Sequence, residues 1–209
     1  MSAPAASGLR RFLTAPAPPV ERCELCGLAL AGEHRHLVDV ERRSLACACP
    51  PCTLLLDRDG AGEGRFRAVP QRYLTDPQVQ LGAGLWESLG IPVGVAFLLH
   101  NSVSGRPLAV YPSPAGPTES DLGPGSWETL EQATALAGLL LPDVEALLLV
   151  RVDGEELCAL VPVDTAYGLV GQLRQHWHGF DGGPEVRARL REFLAGLRGR
   201  AGVAERRPA

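Results

Sequence analysis

Between positions 93 and 200 the spacing of apolar and polar residues names its own elements. Val93-Gly94-Val95-Ala96-Phe97-Leu98-Leu99 carries no polar side chain, as expected of a central strand buried on both faces. Gly105 marks a turn, and residues 107–111 return as a second strand. Two further apolar runs, 144–152 and 156–163, flank Asp153-Gly154, a pair that favours the left-handed backbone of a tight hairpin. Ser126 stands where it would cap a helix with Trp127, Leu130, Thr134 and Ala137 on one side. Asp164 stands likewise before a stripe of Ala166, Leu169, Val170, Leu173 and Trp177. Gly182-Gly183-Pro184 breaks that helix, and Pro184 suits the first turn of a last one. The last helix is expected to bury Val186, Leu190, Phe193, Leu194 and Leu197 and to expose Arg187, Arg189, Arg191 and Arg198. The order strand–strand–helix–strand–strand–helix–helix predicts an α+β fold, an antiparallel sheet covered by helices.

The first half is less regular. Residues 1–20 are rich in Ala and Pro and read as a flexible arm. Residues 66–69 read as a short strand and 85–89 as a helical turn or two. Tyr111-Pro112-Ser113-Pro114-Ala115-Gly116-Pro117 reads either as a stiff loop with its shape set before a partner binds or as a crossover that only connects strand to helix. The chain thus divides into an arm (1–20), a cysteine module (21–75), an α+β domain (76–200) and a disordered tail (201–209).

Composition narrows the function classes. Hydrophobic residues make up 45% and charged residues 21%, enough apolar surface for a packed core. The net charge of −4 is unevenly spread: residues 1–75 carry +2, 76–183 carry −10 and 184–209 carry +4. An acidic middle is the wrong surface for nucleic acid, and the short basic tail reads as a solvated helix face. No apolar run approaches the ~20 residues of a membrane span. Gly8-Leu9-Arg10-Arg11-Phe12-Leu13 has paired arginines, but Ala15-Pro16-Ala17-Pro18-Pro19 follows in place of an apolar export segment. A cytoplasmic, reducing compartment is therefore expected, where clustered cysteines bind metal before they form disulfides.

Five of the 6 cysteines fall within thirty positions. Cys23-Glu24-Leu25-Cys26-Gly27 and Cys49-Pro50-Pro51-Cys52 are two Cys-x-x-Cys pairs, and four thiolates close a tetrahedral zinc site. Gly27 suits the positive φ that a tight knuckle needs after its second ligand. Between the pairs, His36-Leu37-Val38-Asp39-Val40 and Ser44-Leu45-Ala46 read as strands around a turn at Glu41-Arg42-Arg43. Thr53-Leu54-Leu55-Leu56-Asp57 reads as a helical turn. Knuckle, hairpin and ligands at a helix start predict a treble-clef or zinc-ribbon-like module, too small to fold without its ion. Cys47 is an alternate to Cys49, since two residues along a strand it would face the same way. His34 and His36 are further alternates, read otherwise as solvated hairpin residues because four thiolates already suffice. Iron is the competing metal, because rubredoxin-type sites also use two such pairs. Thr53, where a glycine is expected, places iron second.

Elsewhere the chemistry is thin. Cys158 sits among Leu157, Ala159 and Leu160 and reads as a small core residue. His100, His176 and His178 read as residues at element ends. No nucleophile elbow, phosphate loop or dinucleotide fingerprint occurs.

Taken together, Arg22-Cys23-Glu24-Leu25-Cys26-Gly27, Glu33-His34-Arg35-His36-Leu37, Ile91-Pro92-Val93-Gly94, Tyr111-Pro112-Ser113-Pro114-Ala115-Gly116 and Gly182-Gly183-Pro184-Glu185-Val186 resemble an uncharacterised bacterial family of about this length. The resemblance implies genes associated with those of high-affinity [NiFe] hydrogenases and their maturation factors. It further implies an accessory role in assembly, in metal or electron delivery, or in holding a subunit, with a hydrogenase subunit or maturation factor as protein partner. It supplies no catalytic residues. The expected function is a non-enzymatic adaptor with a structural four-cysteine zinc site; the alternatives are a rubredoxin-like electron carrier and an enzyme with a pocket in the α+β domain.

Overall fold

The structure, a computed structural model, describes residues 20–58, 60–179 and 182–204. The stretch expected as an arm lies outside these residues except for Val20, as do the paired arginines and positions 205–209.

Two sheets make up the fold. The smaller follows from the hairpin of the cysteine module: β1 (Arg35–Asp39) and β2 (Ser44–Ala48) pair antiparallel, and β3 (Phe66–Ala68) adds to the other side of β1. Helix α1 (Pro50–Leu56) follows β2 directly, with prolines in its first turn where no N–H is needed.

The larger sheet has seven strands. They are β4 (Leu74–Thr75), β5 (Val95–Asn101), β6 (Arg106–Ser113), β7 (Gly116–Asp121), β8 (Glu145–Val152), β9 (Glu155–Pro162) and β10 (Gly202–Val203), in the order β10-β4-β9-β8-β5-β6-β7. All neighbours are antiparallel except β10 and β4. The Asp153-Gly154 expectation holds in detail: both residues have positive φ, 53° and 80°, and Val152 faces Glu155 across a two-residue loop.

Three expectations are corrected. The proline-rich segment is not a crossover: Pro112 and Pro117 face each other across the β6–β7 hairpin, and β7 is the sheet edge. An edge strand tolerates the missing N–H of Pro117, and Pro112 lies beyond the last β5–β6 pair, Phe97 with Val110. The tail expected from position 201 instead contributes Gly202–Val203, which pairs with Leu74–Thr75. For the same reason Leu74 and Thr75, assigned by sequence to the cysteine module, lie in the larger sheet.

Both faces of this sheet are covered, which is why the middle stretches of its central strands, Val95–Leu99, Ala146–Val150 and Leu157–Val161, are apolar. On one face, Phe97, Leu148, Val150, Ala159 and Val161 pack with α4 (Val163–Gln175) and α5 (Gly183–Arg200). On the other, Leu98, Leu147, Leu149 and Leu160 pack with Trp86 of α2 (Ala83–Ser88) and Leu130 of α3 (Ser126–Ala133). The predicted stripe of α4 is buried from Ala166 to Leu173, and that of α5 is buried at Val186, Leu190, Leu194 and Leu197, with Phe193 half-buried. Helix α3 stops before Thr134, whose hydroxyl turns inward to donate to Asp76 Oδ2 at 2.8 Å.

The small sheet is fixed to the large one. Val38 and Val69 join the core beneath α4. Arg43 pairs with Glu119 at 2.8 Å, and Arg67 donates to the Pro142 carbonyl at 3.1 Å. Among the described residues no helix is long and apolar enough to cross a membrane.

Candidate metal centre

The first cysteine pair sits on a knuckle closed by its own backbone. The Cys23 N–H donates to Leu28 O and the Gly27 N–H returns to Cys23 O, both at 2.8 Å. The return requires Gly27 at φ +76°, the left-handed conformation its sequence position anticipates. Glu24 ties this knuckle to the hairpin twice: its N–H donates to Cys47 O at 2.9 Å, and its Oε1 accepts from the Cys47 N–H at 2.8 Å. The second pair lies at the start of α1, with Cys49 as N-cap and Cys52 in the first turn. The Cys49 carbonyl accepts from the Thr53 N–H at 3.0 Å and the Thr53 hydroxyl at 3.2 Å, which holds that turn.

These elements bring the sulfurs of Cys23, Cys26, Cys49 and Cys52 within 4.8 Å of one another. Cys26 and Cys49 are 3.6 Å apart. Four thiolates on one zinc at ~2.3 Å stand about 3.8 Å apart, so this donor set fits a single tetrahedral ion. Cys23 and Cys49 are buried, Cys52 is half-buried and Cys26 is exposed.

The charges point the same way. Burial pushes Cys23 up, but the backbone amides of Cys49, Leu25 and Cys26 outweigh it and hold the thiol at about 6. Cys52 is pushed up to about 12, first by Cys49 and then by Cys26. Thiolates this close repel one another, and a bound cation lets them coexist.

Cys47 does not belong to this group. Strand pairing stops at Ala48, and Cys49 is already the N-cap of α1. The strict alternation that would make Cys47 and Cys49 equivalent ends between them. Cys47 instead lies with His34 and His36, donor atoms within 4.8 Å of one another. The reading of His34 as a solvated residue is also corrected, since its side chain is only 8% exposed. By sequence these histidines are spare ligands for the four-sulfur site. The signal for the grouping is a His-x-His pair at the start of one strand, with its second histidine opposite a cysteine in the next.

The remaining candidates stay outside the metal centre. Cys158 is buried, 3.9 Å from the Thr134 hydroxyl, and burial pushes its thiol up to about 12. A cavity of about 330 Å3 lies where the two sheets meet, lined by Val38, Val40, Leu45, Leu99, Leu108 and Tyr167 among others. His100 borders it, but its ring lies 6.4 Å from that of Trp127, which packs on the other face of the sheet.

No curated protein and no solved structure matches the chain. Residues 22–201 match a family of unknown function, DUF5947. The match takes in the cysteine module and nearly all of the larger sheet with its helices, and the protein therefore belongs to the DUF5947 family.

Proposed function

We propose that this protein is a non-enzymatic accessory protein in which a structural zinc ion, held by Cys23, Cys26, Cys49 and Cys52, orders a treble-clef module that presents a protein-docking surface. The observation that carries the reading is a set of four exposed leucines close in sequence to the metal ligands. Leu25 (37% exposed), Leu28 (54%), Leu54 (71%) and Leu55 (64%) all lie within three residues of Cys26 or Cys52. Four exposed leucines in so short a stretch of a folded module support an apolar docking surface there. Knuckle, hairpin and helix start, in that order around four sulfurs, support the treble-clef assignment.

The resemblance in sequence supplies the candidate partner, a subunit or maturation factor of a [NiFe] hydrogenase. The test is to delete the gene in a host that makes such an enzyme and to restore it with wild type or with Leu28→Asp/Leu54→Asp. The proposal expects hydrogenase activity to fall on deletion, wild type to restore it, and the double variant to fail while keeping its metal. Full activity without the gene overturns the assignment.

A second reading is a rubredoxin-like iron carrier. It draws on the exposure of Cys26, which brings one edge of the centre to the surface. Visible absorption bands that a reductant bleaches, with one iron per chain, would favour it, because zinc has no redox chemistry.

A further inference from the structure

We infer that His34, His36 and Cys47 form a second metal site, separate from the four-cysteine centre and open at one or more coordination positions.

The placement follows from strand geometry. His36 and Cys47 are direct partners across the β1–β2 pair, so their side chains share one face of the small sheet. His34 lies two residues before His36 and falls on that face by the period of an extended chain. The two imidazole centroids are 4.8 Å apart, and the three donor atoms lie within 4.8 Å of one another. Bonds of ~2.0 Å to nitrogen and ~2.3 Å to sulfur would set donors about 3.3–3.5 Å apart. Closing on an ion therefore takes side-chain shifts of about an ångström.

Each histidine is already oriented through its other nitrogen. His36 Nδ1 is 2.8 Å from Asp164 Oδ2. A proton on Nδ1 leaves the Nε2 lone pair for a metal, the carboxylate–imidazole arrangement that fixes the tautomer of many metal ligands. His34 Nδ1 is 3.1 Å from Ala31 O and 3.5 Å from Glu21 Oε2, which fixes its tautomer in the same sense. Its Nε2 is buried and, among the described residues, has no hydrogen-bond partner. Burying such a nitrogen without a partner is costly, and a metal–ligand bond accounts for it. Glu24 secures Cys47 at both ends: the Cys47 N–H donates to the Glu24 carboxylate, and the Cys47 C=O accepts from the Glu24 N–H.

The donor set defines the class of ion. Two imidazoles and a thiolate suit zinc and the late first-row divalent ions and exclude magnesium and calcium. Three protein ligands leave room for water or an incoming group, unlike the closed four-thiolate centre. His34, His36 and Asp164 also line a cleft of about 350 Å3, bounded further by Tyr73 and Arg200. The cleft gives an exchangeable ligand access from solvent.

The test is a cobalt(II) titration of the full chain, purified under reducing conditions and freed of metal, alongside Cys47→Ser and Asp164→Asn. Wild type is expected to take two ions per chain, the first with a four-thiolate spectrum and the second with one added thiolate charge-transfer band. Cys47→Ser should take one ion and keep the four-thiolate spectrum. Asp164→Asn should keep the first and bind the second about ten- to a hundredfold more weakly. The inference is overturned if wild type takes a single ion. It is overturned equally if Cys47→Ser still takes two, or if that variant stays folded and loses the four-thiolate spectrum. Should Cys47→Ser not fold, Asp164→Asn decides, and unchanged affinity for the second ion overturns the inference. A protein lacking only the four-thiolate spectrum would contradict the proposed structural centre and leave the second site standing.

Discussion

His36 Nδ1 lies 2.8 Å from Asp164 Oδ2, joining the hairpin of the cysteine module to the first turn of α4 across 128 positions of sequence. The contact couples order in the small sheet to the large one, so the metal centre does not hang on a free linker. Asp164 lies one residue inside the helix rather than at its cap, and one carboxylate oxygen takes the Thr165 N–H at 2.6 Å while the other takes His36.

Metal removal should act locally. The module has little core of its own beyond Leu37, Val38 and Val40, whereas β5, β8 and β9 are buried on both faces. Stripping the ion, or Cys49→Ser, is expected to raise amide exchange in β1, β2 and α1 by orders of magnitude while β8 and β9 stay protected. Hydrogen exchange read by mass spectrometry checks this. Simultaneous loss of protection in both sheets would show that the domain cannot stand without the module.

The Arg72–Glu145 pair should be strongly asymmetric to mutation. Both Glu145 oxygens accept from Arg72, at 2.7 Å each, and the Glu145 side chain is fully buried. Arg72→Met leaves that carboxylate uncompensated and should cost about 3–5 kcal/mol. Arg72→Met/Glu145→Leu should recover most of the loss, apart from the Leu141 N–H that Glu145 also accepts at 3.0 Å. Urea denaturation of the three proteins measures the coupling.

Asp39 should contribute to an acid limb of stability. The Arg65 guanidinium holds its carboxyl below the usual range despite burial, with the Arg42 N–H adding to the effect. A carboxyl depressed in the folded state contributes stability that is present above its unfolded pKa and lost as pH falls through the folded one. Arg65→Ala should lower stability at neutral pH by roughly 3 kcal/mol and flatten the loss on acidification. Denaturation midpoints from pH 7 downward check both signs.

Gly94 should not tolerate a side chain. A Cβ there would stand 2.4 Å from Arg151 O and 2.7 Å from Val152 Cγ2. The Arg151 N–H donates to Gly94 O at 2.7 Å, so the two backbones cannot separate without breaking that bond. Gly94→Ala is expected to destabilise by more than the ~1–3 kcal/mol of ordinary overpacking, read as a fall in thermal midpoint.

Cys158 should be inert while the chain is folded. Its thiol is pushed up to about 12 by burial and is closed to solvent. An alkylating reagent at mildly alkaline pH should leave it unmodified until denaturant is added, as peptide mapping would show. Rapid labelling of the native protein would contradict a core role.

What the sequence shows depends on whether a local period carries the information. The strands flanking Asp153-Gly154 and the stripes of α4 and α5 could be read because burial imposes a regular spacing on them. Strand β7, Gly-Pro-Thr-Glu-Ser-Asp, could not, because an edge strand with this composition carries no apolar alternation. Strands β4 and β10 are two residues each and exist only through their pairing. The same divide runs through the metal chemistry. Cys-x-x-Cys spacing brings each pair of sulfurs together locally, and two such pairs suggest one ion. The grouping of His34, His36 and Cys47 depends on the β1–β2 register, which no short window of sequence contains.

The central claim is that sulfur from residues 23, 26, 49 and 52 surrounds one ion. X-ray absorption at the zinc edge of Cys47→Ser protein carrying a single equivalent tests it most directly, because that variant removes the other thiolate near the module. The expected first shell is four sulfurs at about 2.3 Å with no nitrogen or oxygen. A shell with fewer sulfurs, or with imidazole scattering, would contradict it.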